Sequence, residues 1–278
     1  MHPLDSISDK LDRAKGQLSD LYSELLGALD PDRHPVIVDI ETYPYTKPVG
    51  ATDQRPWTAF TLCVTSAPTF SNDIGMRLGE VLHNFRGSLD HLAWFLVPAS
   101  RKKQLSARQK RNIAFPMARS RQNYWRRIND FLPGVSNDLL KIIERYQPYR
   151  RSTAGRAMRN LRNLSDIDKH RTILPIVTLP QAGNLNIKYE GAELVRVIVH
   201  LKFGREVKKG TKVLTVILAG GEVGKRKVSL EGVITSQPIF CRSLLEPPSR
   251  TDAVAVEVAL NDIRDACERV LIEVKANL

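Results

Sequence analysis

The residues best equipped for chemistry fall in one run, Leu82-His83-Asn84-Phe85-Arg86-Gly87-Ser88-Leu89-Asp90-His91-Leu92-Ala93-Trp94. Two imidazoles that exchange protons near neutrality, a guanidinium that can clamp phosphate and a carboxylate that can orient either are the groups needed to move a proton at a phosphate ester. On a helix turning about 100° per residue, His83, Arg86, Asp90 and Trp94 share one flank of an apolar seam, while Asn84, Ser88 and His91 share the other. The plainer alternative is an ordinary Arg86–Asp90 ion pair one turn apart, with the histidines edging a packed face. A second polar stripe, Arg159, Asn163, Asp166 and His170, recurs at spacings of four, three and four. If the two helices are neighbours, Asp166 and His170 converge with His83, Arg86 and Asp90; otherwise this stripe is the charged end of a helix before Pro175.

Between the two stripes the chain is strongly basic. Residues 99–171 hold 19 Lys or Arg against 5 Asp or Glu, a local +14 in a chain of net charge +12. Residues 99–129 contain Arg101, Lys102, Lys103, Arg108, Lys110, Arg111, Arg119, Arg121, Arg126 and Arg127, and no acid. Such a density of cations repels itself unless an anion is near, and nucleic-acid phosphate is the natural partner because each neutralised phosphate releases counterions. Tyr124 and Trp125 sit among these arginines, and aromatic rings so placed stack on unpaired bases, which favours single-stranded RNA over a duplex groove. The competing reading is a mobile, solvated loop.

Other chemistries fit poorly. Cys63, Cys241 and Cys267 are odd in number, far apart and in apolar surroundings, as packing thiols are. His83, His91 and His170 with Asp90 or Asp166 are acceptable ligand types, yet no close-spaced pair supports a metal, so no metal or cofactor is expected. Gly220-Gly221-Glu222-Val223-Gly224-Lys225 is a residue short of a phosphate loop, lacks the following Ser or Thr and lies between strand patterns, which makes it a hairpin turn. The absence of a long apolar run or a signal core leads to the expectation of a soluble, cytoplasmic protein with no membrane partner.

These groups need elements to carry them. Ile7, Leu11, Ala14, Leu18, Leu21 and Leu25 alternate spacings of four and three, as do Leu78, Leu82, Phe85, Leu89, Leu92 and Leu96, and again Val256, Leu260, Ile263, Cys267, Val270 and Val274. Three long helices, near 5–29, 73–97 and 257–278, therefore form a bundle, with shorter helices near 137–146 and 156–170. Val36, Val38 and Ile40 face a strand over 57–65 across a turn with Pro48, Gly50 and Pro56: a hairpin. After His170 a period of two marks strands at 185–189, 195–203, 212–218 and 228–235, a sheet of meanders. The predicted fold is α+β: a helical bundle with an inserted hairpin over 1–172, an antiparallel β-rich region over 173–256, and a C-terminal helix that returns to the bundle.

Two resemblances follow. His83-Asn84-Phe85-Arg86, Leu89-Asp90-His91-Leu92-Ala93-Trp94, Phe115-Pro116, Gln147-Pro148-Tyr149 and Asp168-Lys169-His170-Arg171 resemble segments of a bacterial protein family with no assigned activity. Arg86 and His91, with four residues between them, are similar to the Arg-x(4-6)-His motif of the HEPN superfamily, helical bundles that are often metal-independent ribonucleases. That resemblance implies an endoribonuclease for single-stranded RNA, a defence or toxin effector, with His91 as general acid or base and Arg86 steadying charge on phosphate. Gly87 stands where those proteins usually carry Asn, His or Asp. Arg86 and His91 lie about 140° apart on a straight helix, so their convergence needs a bend or a second copy in a homodimer. The alternative is a noncatalytic nucleic-acid-binding or scaffold protein.

Overall fold

The structure, a computed structural model, describes residues 3–30, 32, 36–48, 52–170, 176–182, 186–200, 209–222, 225–231, 234–240 and 255–278. Its helices are α1 (Pro3–Ala28), α2 (Asn72–Leu96), α3 (Ala99–Gln104), α4 (Ala107–Arg111), α5 (Arg121–Phe131), α6 (Asn137–Arg145), α7 (Thr153–His170) and α8 (Val256–Lys275). Its strands are β1 (Ile37–Pro44), β2 (Trp57–Ser66), β3 (Ile176–Ala182), β4 (Asn186–Glu190), β5 (Glu193–Val199), β6 (Lys212–Ala219), β7 (Lys227–Glu231) and β8 (Ile234–Phe240). The fold is α+β.

The three apolar seams meet as their spacing requires: all eighteen seam residues are buried in one core. Polar contacts along the seam margins fix the direction of packing. Asn84 donates to Gln17 at 2.6 Å, Arg77 pairs with Glu24, and Lys10 lies beside Gly87, so α1 and α2 run antiparallel. Lys15 meets Glu268 at 2.5 Å and Lys275 donates to Ser8 at 2.9 Å, so α8 also runs antiparallel to α1. Arg156 of α7 reaches Asp262, and the Tyr146 hydroxyl, just after α6, donates to Glu273 at 2.6 Å. The bundle thus closes around both flanks of α2.

Two glycines in these helices predict opposite outcomes. Gly16 is exposed in the middle of α1 with nothing within reach of an added Cβ, so Gly16→Ala should stabilise by about 1 kcal/mol. At Gly155 the same Cβ would be pressed into the backbone carbonyl of Arg150. There the clash should outweigh the propensity gain, and Gly155→Ala should destabilise by about 1–3 kcal/mol. Urea unfolding of the two variants checks both signs.

The sheet differs from expectation in its pairing. The β1–β2 hairpin is not a separate insertion: β2 pairs with β6, and the order β1-β2-β6-β5 makes one antiparallel sheet from both halves of the chain. The remaining strands form two pairs, β3 with β8 and β4 with β7. The predicted strand over 228–235 is two strands in different pairs, and β3 had no predicted counterpart. Ala219 ends β6 and Lys227 starts β7, which are not partners, so Gly220-Gly221 begins a connection between sheets and not a hairpin turn. Residues 223 and 224 of that motif, residue 185, residues 201–203 and residues 232 and 233 of the predicted strands and Cys241 lie outside the described residues.

One face of the main sheet is apolar, with Phe60, Leu62, Val64, Leu214, Val216 and Leu218 buried together. The opposite face carries a row of polar side chains. Tyr43 and Thr61 hydroxyls are 2.8 Å apart, Thr61 and Thr215 hydroxyls 2.7 Å, and Thr215 Oγ1 lies 2.7 Å from Nε2 of His200.

Candidate nucleic-acid interface

The basic segment is built of helices. Ser106 accepts from the Gln109 amide while the Gln109 side chain accepts from the Ser106 amide, a reciprocal cap that starts α4. Ser120 and Ser136 cap α5 and α6 in the same way with one bond each. Ile113, Phe115, Tyr124, Ile128, Leu132 and Leu140 are buried in the same core as α2. The loop reading therefore does not hold: α5 and the chain over 113–115 rest on the core, while α3 and α4 bury no residue and carry their cations at the surface.

Arg86 and Asp90 create the joint between that base and α2. Arg86 Nη2 donates to the carbonyl of Phe115 at 2.9 Å, and the Phe115 amide donates to Asp90 Oδ1 at 2.9 Å. Arg86 Nε lies 3.4 Å from Asp90 Oδ2, with the Arg86 side chain only 19% exposed. Both polar groups of one peptide residue are thereby satisfied by a charged pair that the helix presents one turn apart. Gln147, fully buried, extends the device: its side chain accepts from the Ala118 amide at 3.0 Å and donates to the Ile143 carbonyl. The run His83 to Trp94 and the segments Phe115-Pro116 and Gln147-Pro148-Tyr149 thus serve in part to hold the chain over 115–118.

Glu144 anchors the other side. Its carboxylate is 6% exposed, and Oε1 accepts from Arg121 Nε at 3.1 Å, Arg150 Nη2 at 2.9 Å and the Tyr149 hydroxyl at 2.8 Å. Burial, followed by the hydrogen bond and charge of Glu144, pushes the Tyr149 phenol up to about 12. Sequence reasoning missed Glu144 and Gln147. Their signal was positional: both continue the spacing of Leu140 and Ile143 and so fall on a buried stripe.

The other predicted residues divide. Arg101, Lys103, Lys110, Arg111, Arg119, Arg121, Arg126 and Arg127 are exposed. Lys103, Arg108, Lys110, Arg111 and Arg119 have no carboxylate partner among the described residues, whereas Arg127 leans on Asp130 at 3.5 Å and Arg126 on Asn123 at 2.8 Å. Lys102 is half-buried with Nζ 4.9 Å over the ring of Trp94, and this burial depresses its pKa. The aromatic expectation needs correction. Tyr124 is 1% exposed and its hydroxyl donates to the Leu140 carbonyl at 2.6 Å, so its ring is core and not a stacking platform. Trp125 is half-buried, edge-on to Tyr124. The exposed ring in this neighbourhood is Trp94, placed by the spacing on the Arg86 flank.

Arg86 and His91 do not converge within the chain. Arg86 turns toward Phe115, while His91, exposed, lies on the α1 flank near Lys10. Burial and the Lys10 charge lower the His91 pKa below its ordinary value, with Asp90 opposing. Because the unfolded chain then takes up the proton first, this residue costs stability as pH falls through the usual imidazole range and costs nothing above it. His91→Ala should flatten the loss of stability between about pH 7 and 5, read by urea midpoints. His83 is exposed and lines an open groove of about 580 Å3 with Arg13, Gln17, Glu80 and Asn84. Asp166 is exposed on α7, and the His170 side chain lies outside the described residues. Among the described residues no cluster of His, Cys, Asp or Glu is arranged to hold a metal. Cys63 and Cys267 are buried free thiols.

No protein-family model, curated protein or solved structure matches this chain. No helix among the described residues is long and apolar enough to cross a membrane.

Proposed function

We propose that the chain binds single-stranded RNA through the basic helical face of residues 101–127, as a noncatalytic binding module. The observation that carries this reading is the set of exposed cations, Arg108, Lys110 and Arg111 on the capped α4 with Lys103 on α3 and Arg119 just before α5, held out with no carboxylate partner among the described residues. Charges already ordered on helices gain more from phosphate than the same charges on a floppy loop, because less ordering entropy is lost on binding.

A ribonuclease of the HEPN kind is the second reading, favoured by the exposure of His91 and by the burial and Lys10 charge that hold its pKa below the ordinary value. In that reaction His91 takes the proton of a 2′-hydroxyl as it attacks the adjacent phosphorus, the bond from phosphorus to the 5′-oxygen breaks to leave a 2′,3′-cyclic phosphate and a 5′-hydroxyl that takes up a proton, and the charge gathering on the phosphate oxygens needs a cation. A homodimer that supplies the partner's cation meets that need without Arg86 leaving Phe115.

A mixed pool of single-stranded RNA incubated with the protein separates the two. The binding reading expects intact RNA retained with strong salt dependence and no effect of His91→Ala. Chelator-resistant cleavage lost in His91→Ala replaces it with the second reading; intact RNA that is not retained removes both.

A further inference from the structure

A cleft of about 270 Å3 opens beside α5. Met117 and Phe131 give it apolar surface, and Arg119, Asn123, Arg126 and Arg127 give it one guanidinium-rich margin. The buried Tyr124 ring lies beneath it. The wall over 115–118 is fixed by the Arg86 and Asp90 bonds to Phe115 and the Gln147 bond to Ala118, and the base by the Tyr124 bond to Leu140.

This cleft has two chemical halves. A purely electrostatic surface needs only cations; here three arginines border a pinned apolar recess, and Arg119 has no carboxylate partner among the described residues. The volume falls just under the roughly 300 Å3 at which drug-sized pockets begin, room for one planar ring with its phosphate and not for stacked bases. An unpaired nucleotide combines the same two halves: a flat apolar ring and, one sugar away, an anion that an arginine fork grips through two oxygens. We infer that the cleft of Met117, Phe131, Arg119, Asn123 and Arg126 holds one splayed-out nucleotide of a bound single strand, its base against Met117 and Phe131 and its phosphate on Arg119 and Arg126. This rests on the RNA-binding reading and adds a point at which the strand is held by its base. Asn123 stands where a base edge is within reach, although its carbonyl oxygen is shared with Arg126 at 2.8 Å.

Methionine methyl groups report on the cleft without depending on the strand. Met117 lines it, Met76 lines the distant α1–α2 groove, and Met158 is buried in the bundle core. In protein labelled with methyl-13C methionine, cytidine 5′-monophosphate should shift the Met117 resonance saturably and leave Met76 and Met158 in place. Inorganic phosphate should need at least fivefold higher concentration for the same shift, and cytidine alone higher still. Arg119→Gln, an exposed change that leaves the fold intact, should weaken the mononucleotide at least fivefold. A Met117 signal unmoved by the mononucleotide while RNA is still retained overturns the cleft and leaves the basic face standing. Equal response to phosphate and mononucleotide also overturns it, since the site is then for an anion alone. A silent Met117 together with no RNA retention removes both.

Discussion

Glu144→Ala should lower stability by about 3 kcal/mol, the largest loss expected from any single side chain outside the apolar core. Removing one partner of a buried ion pair typically costs about 3–5 kcal/mol because the remaining charge is left uncompensated. Here Arg121 is 73% exposed and Arg150 40%, so both guanidinium groups regain water, which places the effect at the lower end. The Tyr149 hydroxyl loses its acceptor at the same time. Its phenol should titrate below about 12 in the variant yet stay above the ordinary value of about 10, since burial is the first cause of its shift and the carboxylate the second. Urea unfolding reads the stability and ultraviolet titration the phenol. A variant within 0.5 kcal/mol of the parent, roughly the effect of an ordinary surface change, would mean that Glu144 does not pin α5 to α6. If the folded fraction is assayed for RNA, retention should hold or rise, because two arginines have lost their internal counter-charge.

The reverse pattern is expected when Lys103, Arg108, Lys110 and Arg111 are all changed to Glu. These residues lie on α3 and α4, where Glu is about as good a helix former as Lys or Arg, and none has a carboxylate partner among the described residues, so stability should stay within about 0.5 kcal/mol. Affinity for single-stranded RNA should fall about 10²–10³-fold at 0.1 M salt, with the salt slope reduced by as much as about 3, since each phosphate contact on a single strand contributes about 0.7. Fluorescence anisotropy over a salt series gives both quantities. Unchanged affinity with an unchanged slope would place the phosphate contacts elsewhere and sink the proposed interface.

How much of this could be read in the residues depended on whether a local pattern carried it. The seams of α1, α2 and α8 alternate spacings of four and three over many turns, and the bundle follows from them. Helices α3 to α5 escaped because they are short and present little to the core: α5 buries only Tyr124 and Ile128. Their signal was the caps, Ser106 with Gln109 three residues on and Ser120 with Asn123. The sheet order was hidden for another reason. A period of two marks each strand but not its partner, and β2 finds β6 about 150 residues away. At the candidate site, spacing placed Arg86 and Asp90 one turn apart on one flank, and the ordinary ion-pair alternative came closest. What spacing lacked was the Phe115 backbone between them, which turns a possible catalytic pair into a brace. Tyr124 misled because an aromatic among arginines looks the same in sequence whether its ring faces a base or the core.

The hydroxyl row of the main sheet has a polarity. Each Thr hydroxyl has one proton to give, and Thr61 and Thr215 are buried, so the linkages of Tyr43, Thr61, Thr215 and His200 that use both Thr protons inside the row are two: every proton pointing toward the imidazole, or every proton pointing away from it. The imidazole selects between them. With Nε2 bare it receives, and the Tyr43 proton lies inside the row; with a proton on Nε2 it gives, and the Tyr43 proton is released toward solvent. A change of tautomer at His200, just past the end of β5, thereby reaches a phenol three strands away with no backbone movement and no bond of the row lost.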